Sequence, residues 1–267
     1  MINAIKTIIS VISNTLGLSK LYYTKLNKKY RNNYVRVINY HDVEDDNLVN
    51  FEKQINLIQK YYKVISIEEL KDFLNKKISF NEKPAMLISF DDGKMNNYNA
   101  SKVLDKYNIK GTFFVSSEKI DNDDQNYLKI KELKEMINNG HYISNHTASH
   151  HRFSLVDSDD VVNYELITSN HKLNNALEIN NDCFCWCGGE TNVYTKKAFD
   201  VIKENFNYAF TTCTQITTVD TNPLFINRTN VEARWNLSLT KFQILGLWDL
   251  VYKNKEKNVK QIIGLTK

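Results

Sequence analysis

Short apolar runs and helical stripes take turns along this chain. Residues 34–40, Tyr-Val-Arg-Val-Ile-Asn-Tyr, alternate and carry β-branched side chains, the pattern of a strand that delivers His41 at its C-terminal end. Residues 51–61 and 67–74 have helical periodicity. Residues 85–90, Ala-Met-Leu-Ile-Ser-Phe, form a short, largely apolar run of the kind buried on both faces, and it stops abruptly at Asp91, Asp92 and Gly93. Helix and strand patterns then alternate: 97–107 helical, 111–115 extended, 130–138 helical, 141–145 extended. A long helix over 159–177 opens on Ser158 as its N-cap. Residues 183–187 read as extended, 195–204 as helical, 208–213 as extended and 238–252 as a last helix. This alternation predicts an α/β chain with a mostly parallel sheet, either doubly wound or closed as a barrel. In both architectures the ligand site lies at the C-terminal ends of the strands, where His41, Asp91, Asp92, His146 and Gly188 all fall.

The N-terminal stretch follows a different rule. Ile5, Ile8, Ile9, Ile12 and Leu16 keep helical spacing but are interrupted by Ser10, Ser13, Asn14 and Thr15, which predicts an amphipathic helix too polar to span a membrane. A basic linker follows. Residues 1–33 are therefore set apart from a domain over 34–267. With no clean apolar run before a small-residue cleavage site, the pattern predicts a cytoplasmic protein, with peripheral membrane contact through the first helix as a further expectation.

Composition narrows the partners. The 267 residues are 42% hydrophobic with only two prolines, enough apolar material for one large core. A net charge of +4, from 35 basic and 31 acidic side chains spread along the chain, is too mild for a nucleic-acid footprint. Cys183, Cys185 and Cys187 are two residues apart and would line one face of a strand. That spacing suits neither a disulfide nor the paired cysteines of a structural zinc site, so they read as small apolar fillers.

The chemistry concentrates in two places. Asp91 and Asp92 follow a buried strand directly, where like charges raise each other's pKa unless a cation resolves the conflict; alone, the pair with Gly93 also suits a plain turn. His146 and His150 share a face if their segment is helical, or reach a single ion from a tight loop. Together, one carboxylate and two histidines at strand ends make a three-ligand site with a position open for water, and leave the second carboxylate as a general base.

Here the residues resemble a family. Residues 88–93, Ile-Ser-Phe-Asp-Asp-Gly, look like the first motif of the polysaccharide deacetylases of NodB-homology type, and residues 146–150, His-Thr-Ala-Ser-His, look like the second. Tyr40-His41, the run 110–115 and the run 139–143 extend the resemblance over about 34–247. It implies a distorted (β/α) barrel in which Asp92, His146 and His150 hold a divalent metal, usually zinc, with Asp91 as general base and N-acetylated sugars as substrates. The third motif departs from the family pattern: residues 184–190 lack its arginine and proline. Gly188 is then the candidate oxyanion donor, and Arg228 the candidate that orients Asp91 from another direction. No histidine follows His171, so the family's C-terminal acid is missing, and His41, His151 and Glu190 are the candidates to replace it. Three readings stand: an active deacetylase of a glycan or glycan precursor, a catalytically weak metal-binding relative that recognises glycans, and a zinc hydrolase of another amide.

Overall fold

The structure is a computed structural model that describes residues 2–120 and 124–265, with side chains from Lys6 onward; Ile5 of the apolar stripe lies outside the described side chains. Two helices come first, α1 (Ile2–Thr15) and α2 (Leu18–Tyr30). Then follow β1 (Val35–Tyr40), α3 (Leu48–Tyr61), β2 (Lys63–Ile65), α4 (Ile67–Leu74), β3 (Ala85–Phe90), α5 (Asn96–Lys106) and β4 (Thr112–Val115). Next are α6 (Ile130–Asn138), β5 (Tyr142–Asn145), α7 (Asp159–Asn163), α8 (Ser169–Leu177), β6 (Cys183–Cys185), α9 (Lys196–Asn205) and β7 (Tyr208–Phe210). The chain ends with β8 (Thr229–Asn230), α10 (Leu237–Ile244) and α11 (Asp249–Ile262).

One sheet runs β7-β6-β5-β4-β3-β1-β8, with β2 beside the start of β3, and every strand pairing in it is parallel. The sheet curls until its ends approach. Ile226 forms a parallel bridge with Phe210 of β7, and three residues on, β8 begins to pair with Ile38 and Asn39 of β1. The expected distorted barrel is thus present as a curled parallel half-barrel. Both faces of the sheet are covered, which is why β1 and β3 are buried at every position.

The period of two decides what each face carries. Met86, Ile88 and Phe90 of β3 turn outward to the helices, in one cluster with Ile38 and Tyr40. Val35, Val37, Ala85, Leu87, Phe114, Cys183, Cys185, Phe210 and Ile226 turn inward, where α4 plugs the barrel with Ile67, Leu70, Phe73 and Leu74. A capping box between Ser66 and Glu69 fixes the start of that plug. Continuing the inward series past the strand ends carries Asn39, Asp91, His146, Cys187, Arg228 and Asn230 to the open rim.

Four expectations need correction. The basic linker is a helix, α2, because Tyr23 packs edge-on against Tyr61 and Tyr62 and donates its hydroxyl to the Tyr61 carbonyl. The helix over 238–252 is broken: Gly246 turns left-handed (φ 85°), and a Cβ there would stand 2.3 Å from the Arg36 guanidinium. The long helix over 159–177 is continuous but carries a π-helical segment, Tyr164–Thr168, between α7 and α8. The extended stretches 183–187 and 208–213 are regular only over β6 and β7.

Candidate active site

Asp91 inherits the inward orientation of β3, and its N–H continues the ladder by donating to the Tyr40 carbonyl at 2.9 Å. Asp92 and Gly93 then both adopt positive φ (71° and 67°), a sharp reversal that aims the second carboxylate at the histidine loop. A Cβ at Gly93 would lie 3.0 Å from Val115 Cγ1, so both the conformation and the space call for glycine. Thr147 (φ 65°) and His150 (φ 68°) are left-handed as well. For a β-branched threonine this is an outlier, and such strain gathers where the surroundings over-determine the backbone. The His-x-x-x-His segment is therefore a tight loop, not a helix.

Asp91 is 2% exposed and held from three sides. Arg228 Nη1 donates to its Oδ1 at 2.6 Å, Asn39 Nδ2 donates to Oδ2 at 3.2 Å, and His41 Nε2 lies 3.7 Å from Oδ2. Burial alone would raise the carboxyl's pKa, but the Arg228 guanidinium, with His146 and His41, holds it below the ordinary carboxylate range. Arg228 is itself buried, anchored by Nε on the Thr211 carbonyl at 3.1 Å.

Asp92 faces the histidines. Its Oδ1 lies 3.1 Å from His150 Nε2 and 3.5 Å from His146 Nε2. That oxygen is buried and has no hydrogen bond among the described residues, so two imidazole nitrogens converge on a buried, unpartnered carboxylate oxygen. Burial works against the Asp92 anion, yet the two imidazoles keep its carboxyl well below its usual value. The donor set of one carboxylate oxygen and two imidazole nitrogens fits a divalent ion of zinc type. His146 Nδ1 sits 3.0 Å from the Cys185 carbonyl, an arrangement that leaves Nε2 as the donor to an ion when Nδ1 carries the proton.

The sequence reading missed several participants. Cys187, taken as a filler, places its sulfur within 4.8 Å of ligand atoms of both histidines. Cys185 Sγ lies 3.9 Å from Asp91 Oδ1, and burial pushes that thiol up to about 11. Glu165, on the π-helical segment, grips the histidine loop: its carboxylate accepts the N–H groups of Ala148 and Ser149 at 2.9 and 3.0 Å and the Ser149 hydroxyl at 2.8 Å. Lys255 of α11 reaches the rim, its ammonium bonded to the Thr212 carbonyl at 2.9 Å and pulled below its ordinary pKa by burial. None of these four carries a local motif.

A cleft of about 450 Å³ opens over these groups, lined by His41, Asp91, Asp92, His146, His150 and Gly188 among others. A second lobe of about 460 Å³ adjoins it through His41, Asp92 and Asn230, so the site sits within a longer groove. Gly188 is left-handed (φ 83°) and its N–H makes no backbone hydrogen bond among the described residues. Two acid candidates are placed poorly. Glu190 is exposed beside Arg152 at 3.6 Å, and the N–H groups of Glu190 and Gly189 hold its carboxyl below the usual range, the reverse of what a proton donor needs. His151 is tied to Asp157 at 2.9 Å and is not among the residues lining the cleft.

Comparison with known proteins agrees with this geometry. The family model described as Polysaccharide deacetylase matches residues 79–205. YxkH of Bacillus subtilis, named as a polysaccharide deacetylase, is 30% identical over 121 residues, 43% of this chain and 42% of the relative. The match thus spans about two fifths of that relative's length. Among solved structures, IcaB from Ammonifex degensii aligns with a TM-score of 0.70 at 20% identity, over 80% of this chain and 97% of the other. The Streptococcus pyogenes deacetylase PplD, solved in complex with acetate, aligns with a TM-score of 0.66 at 20% identity, over 86% and 98%. Those two likenesses are of fold. The matched segment, residues 79–205, holds both carboxylates and both histidines on the shared half-barrel, and over that segment the chain is similar to the polysaccharide deacetylases.

Proposed function

We propose that this protein is a metal-dependent hydrolase that removes N-acetyl groups from the amino sugars of a glycan or glycan precursor. The observation that carries the reading is the convergence of Asp92 Oδ1, His146 Nε2 and His150 Nε2 beside a separate, arginine-held carboxylate. Asp92, His146 and His150 would hold the ion. A zinc-type ion bound there supplies Lewis acidity toward the acetyl carbonyl and acidifies water enough for a weak base such as Asp91 to take its proton.

The chain's own groups divide the remaining work. Asp91, fixed by Arg228 and Asn39, accepts the proton as water oxygen attacks the carbonyl carbon. Gly188 offers its N–H to the oxygen on which negative charge develops. His41 lends a proton to the amine as the C–N bond breaks, giving acetate and a free amino sugar. Imidazole is the side chain suited to giving and taking a proton near neutrality, and the position of His41, 3.7 Å from Asp91 Oδ2, supports that role. Arg228 and His41 standing at Asp91 support turnover over recognition alone.

Acetate release from a panel of N-acetylated glycans, with and without a chelator, tests the proposal. Release is expected from at least one member. It should be lost on chelation, recover with added zinc, and be absent in Asp92→Asn. Release that is indifferent to the chelator would remove the metal from the mechanism, and no release from any member would remove the activity.

A further inference from the structure

Helix α1 packs inside out. Ser10 and Ser13 are buried at 0% and 6% exposure, while Ile8, Val11, Ile12 and Leu16 stand 60%, 48%, 52% and 67% exposed. The serine face does the docking: Asn14 Nδ2 donates to the Ser238 carbonyl at 2.7 Å and to its hydroxyl at 2.9 Å at the start of α10. Ser10 closes on the Thr7 carbonyl at 2.7 Å. A helix selected to face water would do the reverse and bury its isoleucines. The apolar surface extends into α2, where Leu18 is 43% and Leu21 68% exposed. Contiguous exposed apolar surface of this kind marks a contact with something other than water.

Charge says what that is. No aspartate or glutamate occurs before Asp42, whereas Lys6, Lys20, Lys25, Lys28, Lys29 and Arg31 flank the apolar face. A second copy of the chain would bring the same cations to the same place and be repelled. An anionic lipid surface matches both features, taking the isoleucines into the acyl boundary and the lysines among its headgroups. No helix among the described residues is long and apolar enough to cross a membrane, which leaves contact in the plane of the interface.

We propose that α1 and α2 seat this protein on an anionic lipid surface, with the exposed isoleucine and leucine face of α1 inserted at the interface. The surface leads toward the cleft. Lys6 Nζ lies 5.3 Å from the Trp248 ring at the junction of α10 and α11, Leu250 and Val251 beyond it are exposed, and Tyr252 and Lys255 on the next turn line the cleft. Seated this way, the site takes glycans carried at the membrane surface; that consequence rests on the deacetylase reading, while the lipid contact does not.

Co-sedimentation of the full chain with phosphatidylcholine vesicles, with and without phosphatidylglycerol, tests it. The protein should partition onto phosphatidylglycerol vesicles, more weakly as salt rises. The variant Ile8→Ser, Ile12→Ser, Leu16→Ser should lose about 100-fold of that partitioning. The variant Lys20→Gln, Lys25→Gln, Lys28→Gln, Lys29→Gln should lose at least about tenfold and, since those ammonium groups are solvated, keeps the fold should the first variant not. Metal content and circular dichroism of the variants should match the parent protein. Failure of the parent protein to bind these vesicles, or equal binding by both variants, overturns the proposal. So does a dimer in analytical ultracentrifugation that the serine variant dissolves, which would give the face to a second copy.

Discussion

Asp91 and Asp92 are neighbours in sequence yet face opposite electrostatic company. Asp91 looks into the barrel at a guanidinium; Asp92 looks out at two imidazoles. Adjacent carboxylates should raise each other's pKa, yet both lie below the ordinary range, because Arg228 acts foremost on Asp91, His150 on Asp92 and His146 on both. In the proposed mechanism this division gives proton acceptance to Asp91 and ligation to Asp92 without any competition for one ion. It also leaves His41 as the group best placed to give a proton back, with its side chain 46% exposed and so able to exchange protons with solvent. His41→Ala is accordingly expected to keep its bound metal while acetate release falls by about 10²- to 10⁴-fold, most severely on substrates with poor leaving groups. Elemental analysis alongside steady-state kinetics separates the two effects. Full activity in the variant would confine His41 to the Asp91 hydrogen-bonding environment, and Lys255, already at the rim with a lowered pKa, would be the next group to replace.

At the scale of elements, the histidine loop owes its shape to a helix that the sequence describes only in part. The periodicity over 159–177 is legible because Val162, Leu166, Leu173 and Leu177 share the buried side, and Ser158 caps the start by accepting the Val161 N–H. The π-helical segment inside it leaves no pattern at that spacing, yet it carries Glu165, whose carboxylate satisfies two backbone N–H groups of a loop with two left-handed residues. Such insertions recur at functional sites. Glu165→Ala should leave those donors unpaired, cost about 1–3 kcal/mol of stability and weaken zinc binding by about 10- to 100-fold. A competitive chelator titration reads the second effect, and unchanged affinity would make Glu165 a helix residue without a role at the site. The motif residues themselves were visible because strand ends and turn chemistry are local. Cys187, Lys255 and Asn39 were not, since each reaches the site from a distant part of the chain through a register that only the folded sheet defines. The basic run after α1 misleads for a related reason: Tyr23 holds it helical through its ring on Tyr61 and Tyr62, and nothing within the run announces that contact.

For the whole molecule, parallel strands joined by helices must be locked to one another by long-range polar contacts as well as by apolar packing. Arg36 and Asp249 do this across the closing edge, with two bonds at 2.7 and 3.1 Å and both side chains buried, which is also why the last helix cannot run through Gly246. His141 does it between neighbouring crossovers. Its ring is fully buried, its Nδ1 accepts the Gly111 N–H at 3.0 Å at the entrance to β4, and its Nε2 lies 3.3 Å from Asp105 Oδ1 on α5. Accepting at Nδ1 requires the neutral ring, and burial, opposed by Asp105 and assisted by Lys110, pushes its pKa down to about 4. In the unfolded chain the same imidazole titrates near 6.5. Above that value neither state binds the proton and the group imposes no penalty. As pH falls from about 6.5 to about 4, the unfolded chain takes up a proton that the folded chain refuses, so stability declines with a limiting slope of about 1.4 kcal/mol per pH unit, to about 3 kcal/mol in all, and levels off for this group below that window. His141→Gln can still accept the Gly111 N–H but cannot titrate. Denaturant midpoints measured at pH 7.5, 6.5 and 5.5 in zinc-containing buffer should therefore fall more steeply in the parent protein than in the variant, with a difference of about 1.4 kcal/mol accumulated by pH 5.5. Every other ionisable group is common to both proteins and cancels in the comparison. Parallel curves would mean that the His141 ring is protonated in the folded state, and that Asp105 and not burial governs it.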